Sequence, residues 1–168
     1  DKKHTRRKKI SDNAKATLLR WWIVGMCYFM IGFGTQAGGY TSPIDDFFLG
    51  VGIGLVTIVV YNPIAYNVFD IVRGGEIVNH RYRNKKGWQR ALQTLGDLGL
   101  SMLVVILVYL SYQNINLFLV GLLGVPETVV VAGEPFGFAT LYTLFYSAIT
   151  GLTDKLRAIR TGSATVCK

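Results

Sequence analysis

The chain has 168 residues, of which 51% are hydrophobic, and it carries a formal net charge of +8. All 18 of its Lys and Arg residues lie in three clusters, and the apolar blocks 21–72 and 91–153 between them contain neither residue. A soluble protein has no reason to segregate its cations in this way, whereas membrane proteins keep cationic loops on the cytoplasmic side, where the charges contact anionic headgroups rather than nucleic acid.

The charge clusters predict an all-α polytopic membrane protein with four transmembrane helices and both termini in the cytoplasm. We expect a basic cytoplasmic arm over 1–17, a four-helix membrane domain over 18–153 and a basic cytoplasmic tail over 154–168. A fifth span would move the basic tail to the outside, against the positive-inside bias. The expected location is therefore the plasma or inner cell membrane, as a multi-pass protein.

The N-terminal arm is rich in cations and leads into the first span, which is predicted over about 18–38. The run Ser-Asp-Asn at 11–13 is a candidate N-cap for the helix that feeds this span. Trp21 and Trp22 lie at its cytoplasmic end, where interfacial tryptophans are expected. Four cations of the arm are predicted to contact lipid headgroups or a partner subunit: Arg6, Arg7, Lys8 and Lys9.

The second span is predicted over about 47–69. Its Gly50 and Gly54 form a G-x-x-x-G pair, which is typical of close helix packing in lipid. Near its inner end a proline removes one backbone hydrogen bond and predicts a kink. The amides around this kink either bond to neighbouring helices or line a cavity. The candidate transport or interior polar set here is Asn62, Pro63, Asn67 and Asp70.

The middle loop 70–90 is basic and is expected to form a short hairpin or an interfacial helix on the cytoplasmic side. Its further candidates for headgroup or partner contact are Arg81, Arg83, Lys85 and Lys86. The third span is predicted over about 91–113. Asp97 lies about two helical turns inside it. A carboxylate at that depth pairs with a cytoplasmic cation, makes a structural hydrogen bond, or serves as a proton or cation site.

The outer segment 114–135 contains an apolar run that is too short to cross a membrane. We expect this segment to be interfacial or re-entrant, and the last span to follow over about 136–152. Glu134 and Pro135 are expected to open the last helix, with the carboxylate at the N-terminal end of the helix dipole.

Small residues spaced by four are typical of helix packing in lipid, and the last third of the chain contains two such pairs. They are Gly133 with Gly137 and Ser147 with Gly151. Tyr142 and Tyr146 have the same spacing and add to a tyrosine-rich interior.

The sequence contains no motif that indicates catalysis or metal binding. The two cysteines, Cys27 and Cys167, and the two histidines, His4 and His80, lack metal-site spacing. The interior serines have no histidine within a plausible span. We therefore expect no catalytic residue, no metal and no cofactor, and an enzyme is disfavoured.

Together these features favour a small integral membrane subunit that is an accessory or structural component of a larger membrane transport complex. Its expected partners are anionic lipid headgroups and either other membrane subunits or further copies of the chain. One alternative is a self-contained oligomeric transporter or channel, since four spans seldom enclose a pathway alone. A second alternative is a membrane enzyme that acts on a lipid or isoprenoid substrate at the cytoplasmic face.

Overall fold

The computed structural model describes residues 11–37, 43–61, 64 and 86–165. Every regular element within these ranges is helical, so the predicted all-helical fold is confirmed for the described residues. The four α-helices are α1 Asp12–Ala37, α2 Pro43–Val56, α3 Gly87–Asn116 and α4 Glu127–Thr165. Two π-helical stretches continue α2 and α3, at Thr57–Tyr61 and Leu117–Leu122 respectively.

Local hydrogen bonds explain where two of these helices begin and end. Ser11 caps α1, because its Oγ accepts the amide of Ala14 at 3.3 Å, as a serine N-cap is expected to do. After α3 and its π-helical stretch, Gly124 adopts a left-handed φ of 65° that suits glycine. The amide of Val125 then donates to the carbonyl of Leu119 at 3.0 Å, which closes the helix end.

The segment 114–135 is mostly helical and joins α3 to α4 as the end of a helical hairpin, while its interfacial or re-entrant position stays a prediction. The helix of α3 continues to Leu122, and α4 begins at Glu127. Pro135 therefore lies inside α4 and does not open it. The proline removes one backbone hydrogen bond without ending the helix. Helix α1 packs beside it, since an added Cβ at Gly25 would lie 3.8 Å from the carbonyl oxygen of Pro135.

The four helices form an antiparallel bundle in which each helix has two neighbours. The helix α1 packs against α2 and α4, and α3 packs against the same two helices. Two contacts show that α1 and α2 are antiparallel. Ala16 near the start of α1 contacts Tyr61 beyond the end of α2, while Ile31 lies against Gly52. The bundle therefore alternates up and down around its axis, as in other four-helix bundles.

The core of the bundle is closely filled by residues from all four helices. Val24, Ile53 and Val104 are at most 1% exposed, and Tyr142 is fully buried. Filled layers of this kind are what close-packed protein interiors require, and each lost methylene in them costs stability. The middle of the described bundle is thus a packed interior.

Large hydrophobic side chains cover the outside of the bundle; Met30 is 71% exposed and Leu122 is 74% exposed. Among the described residues, Gly87–Leu122 and Glu127–Leu156 are long and apolar enough to cross a membrane. Only 22% of the apolar window of each is buried, whereas the core helix of a soluble protein is mostly buried. Such an apolar exterior is typical of helices that face lipid. Four crossings and their orientation stay predictions.

Candidate functional site

The charged side chains of the bundle are separated along its axis. The start of α1, the start of α3 and the end of α4 lie at the same end of the bundle, which we name the basic end. The cations at this end whose side chains the structure describes are Lys15, Arg20, Lys86, Arg90, Lys155 and Arg160, and its carboxylates include Asp97 and Asp154. The opposite end, which we name the acidic end, carries Glu127 and Glu134 near the start of α4. Antiparallel packing thus gathers distant sequence clusters into one basic surface.

Glu134 makes a hydrogen bond between two helices on the acidic side of the interior. The hydroxyl of Tyr28, a residue that is 6% exposed, donates to Glu134 Oε2 at 3.0 Å. Glu134 therefore does not cap the start of the last helix as predicted, because α4 begins at Glu127 and Glu134 lies inside it. The bond joins α1 to α4, and charge-assisted hydrogen bonds of this kind are stronger than neutral ones.

A second polar contact lies in the middle of the bundle. The hydroxyls of Ser101 and Tyr142 are 3.0 Å apart and hydrogen-bonded, and Ser101 Oγ also donates to the carbonyl of Gly50 at 3.3 Å. Ser101 is 1% exposed and Tyr142 is fully buried. Buried polar groups need such partners, so this set joins α2, α3 and α4 and leaves the serine engaged rather than poised as a nucleophile.

Aromatic rings connect these two polar contacts to the basic end. Tyr28 stacks on Phe138 with ring centroids 4.5 Å apart, Phe138 stacks on Tyr142 at 6.3 Å, and Tyr142 stacks on Tyr146 at 6.0 Å. We name Tyr28, Phe138, Tyr142 and Tyr146 the aromatic column. Offset stacking at these separations stabilises the packing beyond the burial of the rings. The column extends along α4 from Glu134 towards the basic end.

Arg20 closes the aromatic column at the basic end. Its guanidinium lies 4.0 Å from the ring centroid of Tyr146 and 4.7 Å from that of Tyr61, so the cation stands between two rings. Its Nε is buried and has no hydrogen-bond partner within the described ranges. Cation–π contact becomes stronger when the cation is desolvated, and the arrangement therefore holds α1 against α4 and the π-helical stretch after α2.

The predicted glycine pairs have different surroundings. Gly50 and Gly54 lie against α3, where an added Cβ would meet Met102 Cγ at 3.4 Å and Leu98 Cδ2 at 2.6 Å respectively. Gly137 lies 3.0 Å from the ring of Tyr112 by the same measure. Gly133 and Gly151 face open space, and Ser147 is exposed. One pair is thus at a helix contact inside the bundle, while the others are partly or wholly on its outside.

The interior polar candidates are only partly within the described ranges. Asp97 is half-buried on α3 near the basic end, and it does not belong to the aromatic column. Lys86 is exposed and directly precedes α3. The remaining polar and cationic candidates lie outside the described residues: Asn62, Pro63, Asn67, Asp70, Arg6, Arg7, Lys8, Lys9, Arg81, Arg83 and Lys85.

The contacts that sequence reasoning missed are Glu134 with Tyr28, Ser101 with Tyr142, and Arg20 with its two rings. The i, i+4 spacing of Phe138, Tyr142 and Tyr146 was the available signal for the aromatic column. The other partners are separated by 40 or more positions, and their contact depends on how the helices are rotated against one another.

Within the described part of the bundle, no group of three or more His, Cys, Asp and Glu side chains could hold a metal ion. Searches against family models, curated proteins and solved structures give no match to the chain. The features available for a functional argument are therefore its apolar exterior, its filled interior, its charge axis and its outward-facing glycines.

Proposed function

We propose that this protein is a small integral membrane subunit with four transmembrane helices, and that it is an accessory or structural component of a larger membrane transport complex. In this proposal both termini are cytoplasmic, and the protein lies in the plasma or inner cell membrane. The basic end then faces the cytoplasm. Its cations contact anionic headgroups or the cytoplasmic parts of neighbouring subunits.

The four-span arrangement is supported by the antiparallel bundle. An even number of antiparallel helices brings the start of α1 and the end of α4 to one side, and the sequence clusters its cations there. Retention of cationic segments in the cytoplasm favours that orientation over its inverse.

Glycines on the outside of the bundle carry the proposal of a partner subunit. An added Cβ at Gly96 or Gly99 of α3, or at Gly133 or Gly151 of α4, would meet nothing within 4 Å. Glycine weakens a helix by about 1 kcal/mol relative to alanine, so outward glycines need a reason other than packing inside the chain. In lipid that reason is the close approach of another helix.

The filled interior favours an accessory role over an independent transporter. Tyr142, Val104 and Val108 are fully buried in the middle of the bundle, where a pathway through one chain would have to run. A transport pathway needs polar or water-lined space, and sites between helices need room for a ligand. Transport is therefore assigned to the complex, and this chain contributes helix surface to it.

The test is gentle detergent extraction of the tagged protein, followed by mass identification of the proteins that co-purify. We expect the wild-type chain to retain one or more membrane subunits. The variant Gly96→Leu/Gly99→Leu should lose them, because two leucines obstruct close helix approach while remaining compatible with lipid. Its thermal unfolding midpoint in detergent should not fall, since neither new side chain has a clash within the chain.

The matched control is Gly87→Leu, which adds the same side chain to the same helix at an exposed position that also meets nothing within 4 Å. This control lies at the start of α3 beside Lys86 and should keep its partners. Full retention of partners by Gly96→Leu/Gly99→Leu would contradict the proposed surface. A wild-type protein that purifies as a lone oligomer and conducts a solute in liposomes would instead establish the self-contained transporter.

A further inference from the structure

The bundle carries an open apolar groove on its outside, between α1 and the end of α2. The groove has a volume of about 820 Å³, within the range of pockets that hold a ligand of moderate size. Along α1 it is lined by a stripe on one helix face, Leu18, Trp22, Met26 and Met30, and its opposite wall includes Val56 and Val60. Lys15 is its one charged lining residue among those described, and it lies at the basic end.

We propose that this groove binds an acyl chain of one anionic phospholipid, whose phosphate is held by Lys15. The proposal rests on the membrane-embedded position that the proposed function requires. It adds a defined lipid site at a place where the sequence predicted only general headgroup contact through other cations.

The length of the groove matches one leaflet of a bilayer. From Leu18 to Met30 the helical rise gives about 18 Å. Half of a hydrocarbon core about 30 Å thick is about 15 Å. Lys15 precedes Leu18 by nearly one helical turn, so its ammonium lies at the headgroup level when the apolar stripe lies in the acyl region.

The lining favours a lipid chain over a partner helix. Close helix contacts in membranes use small residues that let two backbones approach, and the groove wall on α1 has large, flexible side chains instead. Trp22 is 60% exposed and Met30 is 71% exposed, so both large side chains are available to contact the bound acyl chain. Unbranched methionine adapts to an irregular neighbour such as a disordered acyl chain. The glycines suited to a helix partner lie on α3 and α4.

The positive charge of Lys15 favours an anionic lipid headgroup. Lys15 is half-buried at the mouth of the groove, and a lysine ammonium has three donors with which to bind a phosphate in addition to contacts inside the chain. A zwitterionic lipid would bring its own cation to this basic end, whereas an anionic lipid adds only the favourable charge. The occupant is therefore an anionic phospholipid of the leaflet on the basic side.

The experiment uses tryptophan quenching by phospholipids with brominated acyl chains, in nanodiscs of phosphatidylcholine. One variant keeps only the groove tryptophan, Trp22 (Trp21→Phe/Trp88→Phe). The other keeps only Trp88, which is 79% exposed at the start of α3 and outside the groove (Trp21→Phe/Trp22→Phe). Brominated phosphatidylglycerol should reach half-maximal quenching of Trp22 at a mole fraction about fivefold lower than brominated phosphatidylcholine does, the factor expected from one cation near the surface.

Two substitutions separate the headgroup contact from the groove. Lys15→Gln should remove the fivefold preference, while Lys155→Gln, an exposed cation elsewhere at the basic end, should leave it unchanged. Val60→Phe should also lower the quenching of Trp22, because its ring fills the groove while Lys15 remains. A second measurement avoids the tryptophan substitutions: native mass spectrometry of the Lys15→Gln protein should show one fewer retained phosphatidylglycerol than the wild type.

Three results overturn the proposal: equal quenching of Trp22 by the two brominated lipids, a preference of Trp22 for brominated phosphatidylcholine, or unchanged lipid retention in Lys15→Gln. A failure of the proposed function would give a different result from a failure of the lipid site. If brominated lipids at any mole fraction fail to quench either tryptophan, the chain does not enter the bilayer and both proposals are wrong. Quenching of both tryptophans without a preference leaves the membrane subunit intact and removes only the lipid site.

Discussion

Arg20 stands between the rings of Tyr61 and Tyr146, so α1, α4 and the π-helical stretch after α2 meet at one cation. A guanidinium is planar and more weakly hydrated than an ammonium, and it stacks on aromatic faces. This explains why an arginine, rather than one of the many lysines of the chain, occupies the position. The cation also lies at the boundary between the filled interior and the basic end, where it links packing to charge.

We expect Arg20→Gln to lower the free energy of unfolding by about 2 kcal/mol, because the cation–π contacts with both rings are lost. Tyr146→Leu should lower it as well, and the double variant should lose less than the sum of the two. Equilibrium unfolding in mixed detergent micelles measures all three.

The conservative control for this cycle is Tyr146→Phe, which keeps the ring and should retain most of the stability. Strictly additive losses in Arg20→Gln and Tyr146→Leu would mean that the two side chains are not coupled, and the cation–π contact between them would then be wrong.

At the scale of the helices, the contact between α2 and α3 depends on two glycines. An added Cβ at Gly54 would lie 2.6 Å from Leu98 Cδ2 and 3.4 Å from both Leu98 Cα and Ser101 Cβ. The leucine side chain can rotate away, but the backbone of α3 and the hydrogen-bonded serine cannot yield without moving the helix. The close approach also lets Ser101 reach the carbonyl of Gly50.

Gly54→Ala should therefore lower the free energy of unfolding by about 1–3 kcal/mol through overpacking. This loss should appear even though alanine favours a helix over glycine by about 1 kcal/mol. The matched control is Gly96→Ala on α3, where the added methyl meets nothing and stability should stay level or rise. Thermal unfolding in detergent compares the two variants. An equal response of both would show that α2 and α3 are not closely packed at Gly54.

The helices themselves could be predicted from long apolar runs, but their ends and contacts could not. The sequence placed the start of the last helix at Glu134 because proline normally ends or opens a helix. In the bundle Pro135 is inside α4, where it removes one backbone hydrogen bond without ending the helix. The pairing of Tyr28 with Glu134 joins residues 106 positions apart, and it depends on helix rotation that no local pattern specifies.

At the scale of the whole molecule, the antiparallel order of the helices and the distribution of charged residues indicate the same polarity along the bundle axis. The antiparallel order of the helices collects the cations at the basic end, and the turn at 123–126 lies at the acidic end beside Glu127. The positive-inside bias then predicts that this turn is outside the cell and that the end of α4 is inside.

Cysteine labelling tests this orientation. In a background without native cysteines (Cys27→Ala/Cys167→Ser), we expect Leu123→Cys, at a position that is 58% exposed, to react with a membrane-impermeant maleimide on intact cells. Lys155→Cys should react only after the cells are permeabilised, because the end of α4 is predicted to be cytoplasmic. Labelling of Lys155→Cys on intact cells would reverse the proposed topology.

The packing of α1 against α4 has a consequence for biosynthesis. Trp21 donates to Thr140 at 3.0 Å and Tyr28 donates to Glu134, so α1 is made before the partners that it finds in α4. Until α4 leaves the ribosome, α1 presents unpaired polar groups to lipid, which is costly. We expect a chain truncated at Leu123 to be degraded faster than the full chain in a pulse-chase experiment. The synthesis of α4 would then decide whether a newly made copy survives quality control.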